Sequence, residues 1–400
     1  MSATAISTQK VVLGEVIDIR DGTHDTPAYV ESGIPLITSK NLSDAGLTFD
    51  SASFISEEDH AQISKRSGVQ KGDVLYGMIG TIGKPTLVEV DRTFSIKNIA
   101  LFKQAVGVVD SKYLRWLLDS PDVNAQIARV SKGGTQKFVA LGALRGLTVH
   151  LPPLEEQRHI AAILDQAETL RTQRRAALAH LDSLTQSLFL DMFGDGNTPE
   201  PTIGELLEKK VLLLHKDGNH GSLYPRAEEF GDEGVPFLSA RCVSDGGEIQ
   251  EQFIDRLRDQ KANQLRIGWI EKGDVLLAHN ASVGKVALYD GRYPKALIGT
   301  SLTAFRADQS ILSPEFLAAA FRSTKFQAQL FKNMGQTTRN QVPITAQREL
   351  RVALPPLALQ QTFATRIQTI EALKATHRAA LAQLDALFAS LQQRAFAGDL

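Results

Sequence analysis

Arg175 to Leu184 reads RAALAHLDSL, and Arg378 to Leu387 reads RAALAQLDAL. Eight of the ten positions are identical, at an offset of 203. The same offset links Leu151-Pro152-Pro153-Leu154 with Leu354-Pro355-Pro356-Leu357. Lys71-Gly72-Asp73-Val74-Leu75 and Gly33-Ile34-Pro35 return at offset 201 as Lys272-Gly273-Asp274-Val275-Leu276 and Gly234-Val235-Pro236. Asp21-Gly22-Thr23-His24 returns at offset 196 as Asp217-Gly218-Asn219-His220. A drift of a few residues is what loop insertions between matched elements produce. The chain therefore reads as two copies of one plan, each a globular head followed by an LPPL hinge and a helical arm. The expected divisions are heads at 1–150 and 196–353 and helical spacers at 151–195 and 354–400. Gly194 to Pro201, rich in Gly, Pro, Asp and Asn, joins the copies.

Within the heads, the short apolar runs Ile34–Ile37, Val74–Ile79 and Ile96–Phe102 predict strands. Ser313-Pro314 predicts a helix start, with Ser as N-cap and Pro at the first helical position. Ser111–Asp119 is its counterpart in the first copy. The arms, Glu155–Phe193 and Ala358–Ala397, contain no Pro or Gly before their ends. In the first, 4,3 spacing selects Ile160, Leu164, Ala167, Arg171, Arg174, Leu178, Leu181, Thr185 and Leu188. In the second it selects Phe363, Ile367, Ile370, Lys374, His377, Leu381, Leu384, Phe388 and Leu391. This is a coiled-coil pattern with a polar interruption, and polar seam residues can set register. The expected class is α+β, with two mixed α/β heads separated by two long helices. The helices are expected to form an antiparallel coiled coil, giving an internal repeat with pseudo-two-fold symmetry. The alternative is that each arm packs on its own head or on another subunit.

Composition removes several function classes. Lys+Arg total 44 and Asp+Glu 45, so the chain has no basic coat or acidic tail. The single cysteine, Cys242, excludes an internal disulfide framework and a cysteine metal cluster. Met1–Lys10 is polar and no apolar run nears the ~20 residues of a membrane span, so a soluble cytoplasmic protein is expected. Two similar heads suit a target in two halves, such as B-DNA, whose half-sites recur ~34–36 Å apart per turn on one face. Because the heads differ in sequence, an asymmetric bipartite target is expected.

These motifs, in this order and duplicated, resemble the specificity subunit of type I restriction-modification systems. The resemblance rests on GIPLITSKNL and GVPFLSARCV, on KGDVL in both copies, and on LPPLEEQRHIAAILDQAETLRTQRRAALAHLDSL. Glu155-Glu156-Gln157 at the first arm is Ala358-Leu359-Gln360 at the second, a departure at the second hinge. The resemblance implies two target-recognition domains alternating with two helical regions, and a non-catalytic DNA-recognition role. It implies binding to double-stranded DNA, to two methyltransferase subunits and to restriction/translocase subunits. The methyl donor and ATP would belong to those partners, so no cofactor is expected here. A modification-only system and a coiled-coil scaffold without DNA are the alternatives.

Charge does not locate a DNA face. Residues 1–150 carry 16 basic and 16 acidic side chains, and residues 196–353 carry 20 and 19. Basic residues in Gly-rich or polar loops are then the candidates. Gly80-Thr81-Ile82-Gly83-Lys84 aligns with Ala281-Ser282-Val283-Gly284-Lys285. Lys84 and Lys285 would supply charge where backbone N–H groups approach a phosphate, or would be solvated lysines on hairpin turns. Asn280 can contact adenine or stabilise its own turn. Thr135, Gln136 and Lys137 align with Thr338, Arg339 and Asn340 in loops dense in donors and acceptors. These are base-reading types, with ordinary capping the alternative. Lys40 and Arg241 follow the GIPLITS and GVPFLSA strands as phosphate candidates, and His24 and His220 suit hydrogen-bonding locks on their Asp-Gly turns.

Independent catalysis finds no support in the motifs. A P-loop, G-x-x-x-x-G-K-[ST], fails at Met78 and Pro85 in the first copy and at His279 and Val286 in the second. No G-x-G-x-x-G and no Asn/Asp-Pro-Pro-aromatic motif occurs. Glu208-Lys209-Lys210 has a nuclease-like Glu-x-Lys spacing but reads as a helix-end charge cluster. His215 and His220 do not make a zinc site with carboxylates at useful spacing.

Overall fold

The computed structural model describes residues 9–43, 46–131, 137–194, 198–334 and 340–398. The chain divides into two compact units, Met1–Arg174 with Ala380–Leu400, and Arg175–Ala379. Among the described residues no helix is long and apolar enough to cross a membrane.

The first unit holds a four-stranded antiparallel sheet in the order Ile19–Asp21, Ile99–Phe102, Val74–Gly77, Gly83–Leu87. A smaller sheet places Ile34–Ile37 between Ser53–Ile55, antiparallel, and Ser95–Ile96, parallel. The 96–102 run, expected as one strand, is therefore shared between two sheets. The break is at Asn98, whose φ is +56°, a value Asn tolerates better than most residues. The second unit repeats the first sheet as Leu212–Asp217, Leu302–Ala307, Val275–Ala278, Val286–Leu288. Its other sheet has five strands, with Val235–Leu238 again parallel to its partner, Ala296–Ile298.

The duplicated KGDVL motif is a buried corner. Gly72 and Gly273 both have φ +93°, a conformation that glycine adopts without penalty. Asp73 is buried and accepts the N–H groups of Gln70 (2.8 Å) and Gln104 (3.0 Å), with Lys103 Nζ at 2.7 Å. Asp274 is buried in the same way, accepting from Glu271 N (2.8 Å) and from two nitrogens of Arg306, each at 2.8 Å. A buried carboxylate needs such a full partner set. The Val-Leu that follows then enters the central strand, fully buried.

Ser313 caps Pro314–Arg322 through Phe316 N at 3.3 Å. Asp110 caps Ser111–Leu118 through Lys112 N and Tyr113 N at 3.0 and 3.1 Å. The arms are the helices Leu154–Phe193 and Leu357–Ala397, each about 60 Å long at 1.5 Å per residue.

Each unit contains part of both arms, running antiparallel. In the first unit Ile160, Leu164 and Phe388 join the head's own core. Phe388 lies 5.4 Å from Trp116 and Phe396 lies 5.7 Å from Tyr113, between ring centroids. Arg171 pairs with Asp385 at 2.6 Å, with its guanidinium 4.3 Å over the Phe388 ring. In the second unit Phe189, Phe193, Phe316 and Phe363 form an aromatic cluster. Lys374, 3% exposed, meets Asp182 at 2.7 Å and Glu371 at 2.9 Å. The arms thus pack on their heads as well as on one another, and Arg171 and Lys374 of the polar interruption form ion pairs. Ile160, Leu164, Ile367 and Phe388 are buried, and Leu178, Leu181, Leu188, Leu381 and Leu384 half-buried.

Candidate nucleic-acid interface

The candidate loops of the first unit gather at one end of its four-stranded sheet. The strand Val74–Gly77 ends at a tight turn: a Cβ on Gly77 would stand 2.3 Å from the Thr81 carbonyl oxygen. Beyond it, Ile79 bridges Phe138, and Gly80 N donates to the Lys137 carbonyl at 3.2 Å. The 80–84 loop and the segment carrying Lys137 are thereby held side by side. Ser39 donates its hydroxyl to the Ile79 carbonyl at 3.0 Å, which brings in the turn bearing Lys40. That turn is closed by the Asn41 side chain, which accepts from Thr38 N at 2.9 Å. Lys40 and Lys137 are exposed and Lys84 is half-buried with φ +55°.

His24 completes this edge. Its Nε2 lies 2.8 Å from Asp21, and its Nδ1 lies 3.0 Å from Asn98 Oδ1. The Asn98 hydrogen bond and the Asp21 carboxylate both raise its pKa. Arg66 also pairs with Asp21. The turn-locking role expected of His24 is met, and Asn98 and Arg66 are partners that local sequence pattern does not reveal.

The second unit repeats the arrangement with different chemistry. Asn280 bridges Gln341, and Ala281 N donates to the Asn340 carbonyl at 3.2 Å. Ala281 takes φ +64° and Gly284 φ +98°, as the aligned Gly80 and Gly83 take +77° and +100°, whereas the positive φ of Lys84 is not repeated at Lys285. Arg241 is exposed, but its Nη2 donates to both carboxylate oxygens of Asp255, at 3.0 and 2.9 Å. Lys285 meets Asp245 at 3.1 Å. His220 is held by Asp217 at 2.6 Å. Thr135, Gln136, Thr338 and Arg339 lie outside the described residues, and Asn340 is exposed.

Behind this edge His279 is buried, and desolvation pushes its pKa down to about 4. Burial also lowers His215. Glu208 ends the helix Ile203–Glu208, so Glu208-Lys209-Lys210 is a helix-end cluster.

Both repeats are recognised by relatives. The family described as type I restriction modification DNA specificity domain matches residues 7–180 and again 221–386. The EcoBI type I specificity subunit of Escherichia coli is 30% identical over 169 residues, covering 41% of this chain and 35% of that protein. The chain thus spans about a third of that relative's length. The MjaVIII type I specificity subunit of Methanocaldococcus jannaschii is 23% identical over 316 residues, 76% of this chain and 70% of that one. The crystal structure of a type I restriction-modification S subunit from M. genitalium superposes with a TM-score of 0.61 at 14% identity, covering 99% and 98% of the two chains. A second structure, from work on assembly and conformational transition of the type I system, gives 0.55 at 18% identity, covering 98% of each chain. Matched twice, over most of its length and at the same duplicated elements its sequence displays, the chain belongs to the type I restriction-modification DNA specificity family.

Proposed function

We propose that this chain is the non-catalytic subunit that chooses the DNA sequence for a type I restriction-modification enzyme. Each unit reads one half of a bipartite, asymmetric target, and the arm helices set the length of the gap. The observation that carries this is the repeated loop edge. Backbone bonds bring matching loops together in both units, yet the side chains they present differ, Ile79 and Lys137 against Asn280 and Asn340.

Lys40, Lys84, Arg241 and Lys285 are assigned to phosphates, which give affinity without sequence information. Gln136, Arg339, Asn280 and Asn340, with Thr135, Lys137 and Thr338 beside them, are assigned to base edges and their surroundings. The carboxylates beside Arg241 and Lys285 temper non-specific attraction in the second unit.

Two methyltransferase subunits are the proposed partners, with restriction/translocase subunits joining them. Exposed leucines support a docking role for the arms. Leu170 and Leu373 correspond at offset 203, as do Leu184 and Leu387, and they are 41%, 48%, 51% and 51% exposed. All four precede a seam position by one residue. Repeated apolar exposure on an otherwise polar helix face marks an interaction surface, and two equivalent surfaces fit two copies of one partner.

Methylome sequencing of a host expressing the chain with its methyltransferase tests the proposal. The expected result is a new methylated motif with two unlike half-sites around an unspecified gap. A contiguous motif, or no new motif, overturns it.

A further inference from the structure

His215, His279, Thr303 and Gln347 form a buried chain of hydrogen bonds behind the loop edge of the second unit. His215 Nε2 is 3.1 Å from Gln347 Oε1, Gln347 Nε2 is 3.1 Å from Thr303 Oγ1, and Thr303 Oγ1 is 2.8 Å from His279 Nδ1. Gln347 Nε2 also donates to the Val342 carbonyl at 3.2 Å. A carbonyl only accepts, so that contact fixes the orientation of the Gln347 amide. His215 then donates to Gln347, and Gln347 donates to Thr303, whose hydroxyl pairs with His279 Nδ1. The chain links all four side chains with every member neutral.

Strand pairing identifies the equivalent positions in the first unit. Thr303 stands opposite Asp217 and Leu277, and Ala100 stands opposite Asp21 and Tyr76. His215 faces Phe305 as Ile19 faces Phe102. The His279 carbonyl accepts Val342 N at 2.9 Å, as the Met78 carbonyl accepts Val139 N at 3.0 Å. Gln347 and Leu144 lie three residues before Leu350 and Leu147, whose carbonyls accept Ile203 N and Leu13 N, both at 2.8 Å. Ile19, Met78, Ala100 and Leu144 all belong to one apolar core. The same fold is thus built with an apolar set in one unit and a polar chain in the other.

A buried polar chain is a poor source of stability compared with a packed apolar set, but it constrains geometry. Here it constrains the segment that carries the reading candidates. Val342 is held on both sides, through its N–H by the His279 backbone and through its carbonyl by Gln347. Asn280 and Asn340 flank these anchors.

We propose that His215, His279, Thr303 and Gln347 are positioning residues for base reading by the second unit, holding Asn280 and Asn340 in fixed register. The inference rests on the DNA-reading function proposed above. The first unit reads its half-site without such a device.

The test transplants the first unit's residues into the second: His215→Ile, His279→Met, Thr303→Ala and Gln347→Leu in the full chain, assembled with its methyltransferase. Selection from a random duplex pool reads both half-sites in one experiment. The expected result is a folded variant whose preference at one half-site weakens by about tenfold or more, the scale of one base contact, with the other half-site unchanged. Unchanged preference at both, or equal loss at both, overturns the assignment. Thr303→Val and Thr303→Ser decide the matter if the fourfold variant does not fold. The valine removes the hydroxyl at constant shape and should weaken the same half-site, whereas the serine should preserve it. Equal behaviour of the two overturns the proposal. If the unmodified assembly selects no sequence at all, the DNA-reading function itself falls.

Discussion

Gln157 fastens its arm to Asp110: the side-chain oxygen accepts the Asp110 backbone N–H at 2.9 Å, while the nitrogen donates to the Val108 and Pro152 carbonyls at 3.1 and 3.0 Å. Gln360 repeats this in the second unit, accepting from Ser313 N at 2.8 Å and donating to Ile311 and Pro355 at 3.1 and 2.8 Å. The departure from Glu-Glu-Gln to Ala-Leu-Gln at the second hinge leaves this latch intact. Because both glutamines are buried, Gln157→Leu or Gln360→Leu strands a backbone N–H. Each should lower the unfolding free energy by about 1–3 kcal/mol, measured by urea denaturation. A loss below the error of that measurement would show that water replaces the latch.

Histidines of the two units should respond oppositely to pH. His279 falls from 6.5 to about 4 on folding and His215 is also lowered, both chiefly through burial. Below pH 6.5 the unfolded chain takes up protons there that the folded chain refuses. Stability is therefore lost as pH falls from 6.5 towards 4, at no more than about 1.4 kcal/mol per pH unit per histidine. His24 is raised, so its contribution is complete below 6.5 and disappears as pH climbs through its folded value. Thermal melts from pH 4 to 8 should show a shallower acid limb for His279→Met and a flatter neutral limb for His24→Gln.

Charge at the loop edge should act through phosphates. Lys84→Ala and Lys285→Ala should each weaken binding to all sequences alike and reduce the salt slope by about 1. Asp255→Asn, which removes the carboxylate paired with Arg241, should strengthen binding to unrelated DNA and steepen that slope. Anisotropy titrations at several salt concentrations measure both. A change confined to one base position would make the residue a reader instead.

Leu170→Glu with Leu387→Glu, or Leu184→Glu with Leu373→Glu, places charge on the exposed arm positions of one unit. Either pair should reduce the methyltransferase retained in co-purification from two copies to one, with the melting temperature unchanged. Full retention would move the docking surface elsewhere.

The duplication, the arms and a few central strands were legible because they are local or repeated: RAALAHLDSL and KGDVL announce themselves by spacing alone. What was not legible depends on distant partners. The 96–102 run is apolar throughout apart from Lys97 and Asn98, and only the tertiary placement of Asn98 divides it between sheets. The chain from His215 to Gln347 joins residues over a hundred positions apart, with no periodicity to connect them. The loop edge was legible as composition, but the capture of Arg241 by Asp255 and of Lys285 by Asp245 was not.

The division at Asn98 has a mechanical consequence. Ser95–Ile96 and Ile99–Phe102 belong to different sheets, and only Lys97 and Asn98 join them. An extended chain gains at most about 3.6 Å per residue, so this splice has almost no slack. The splice therefore caps how far the two layers can part at this edge.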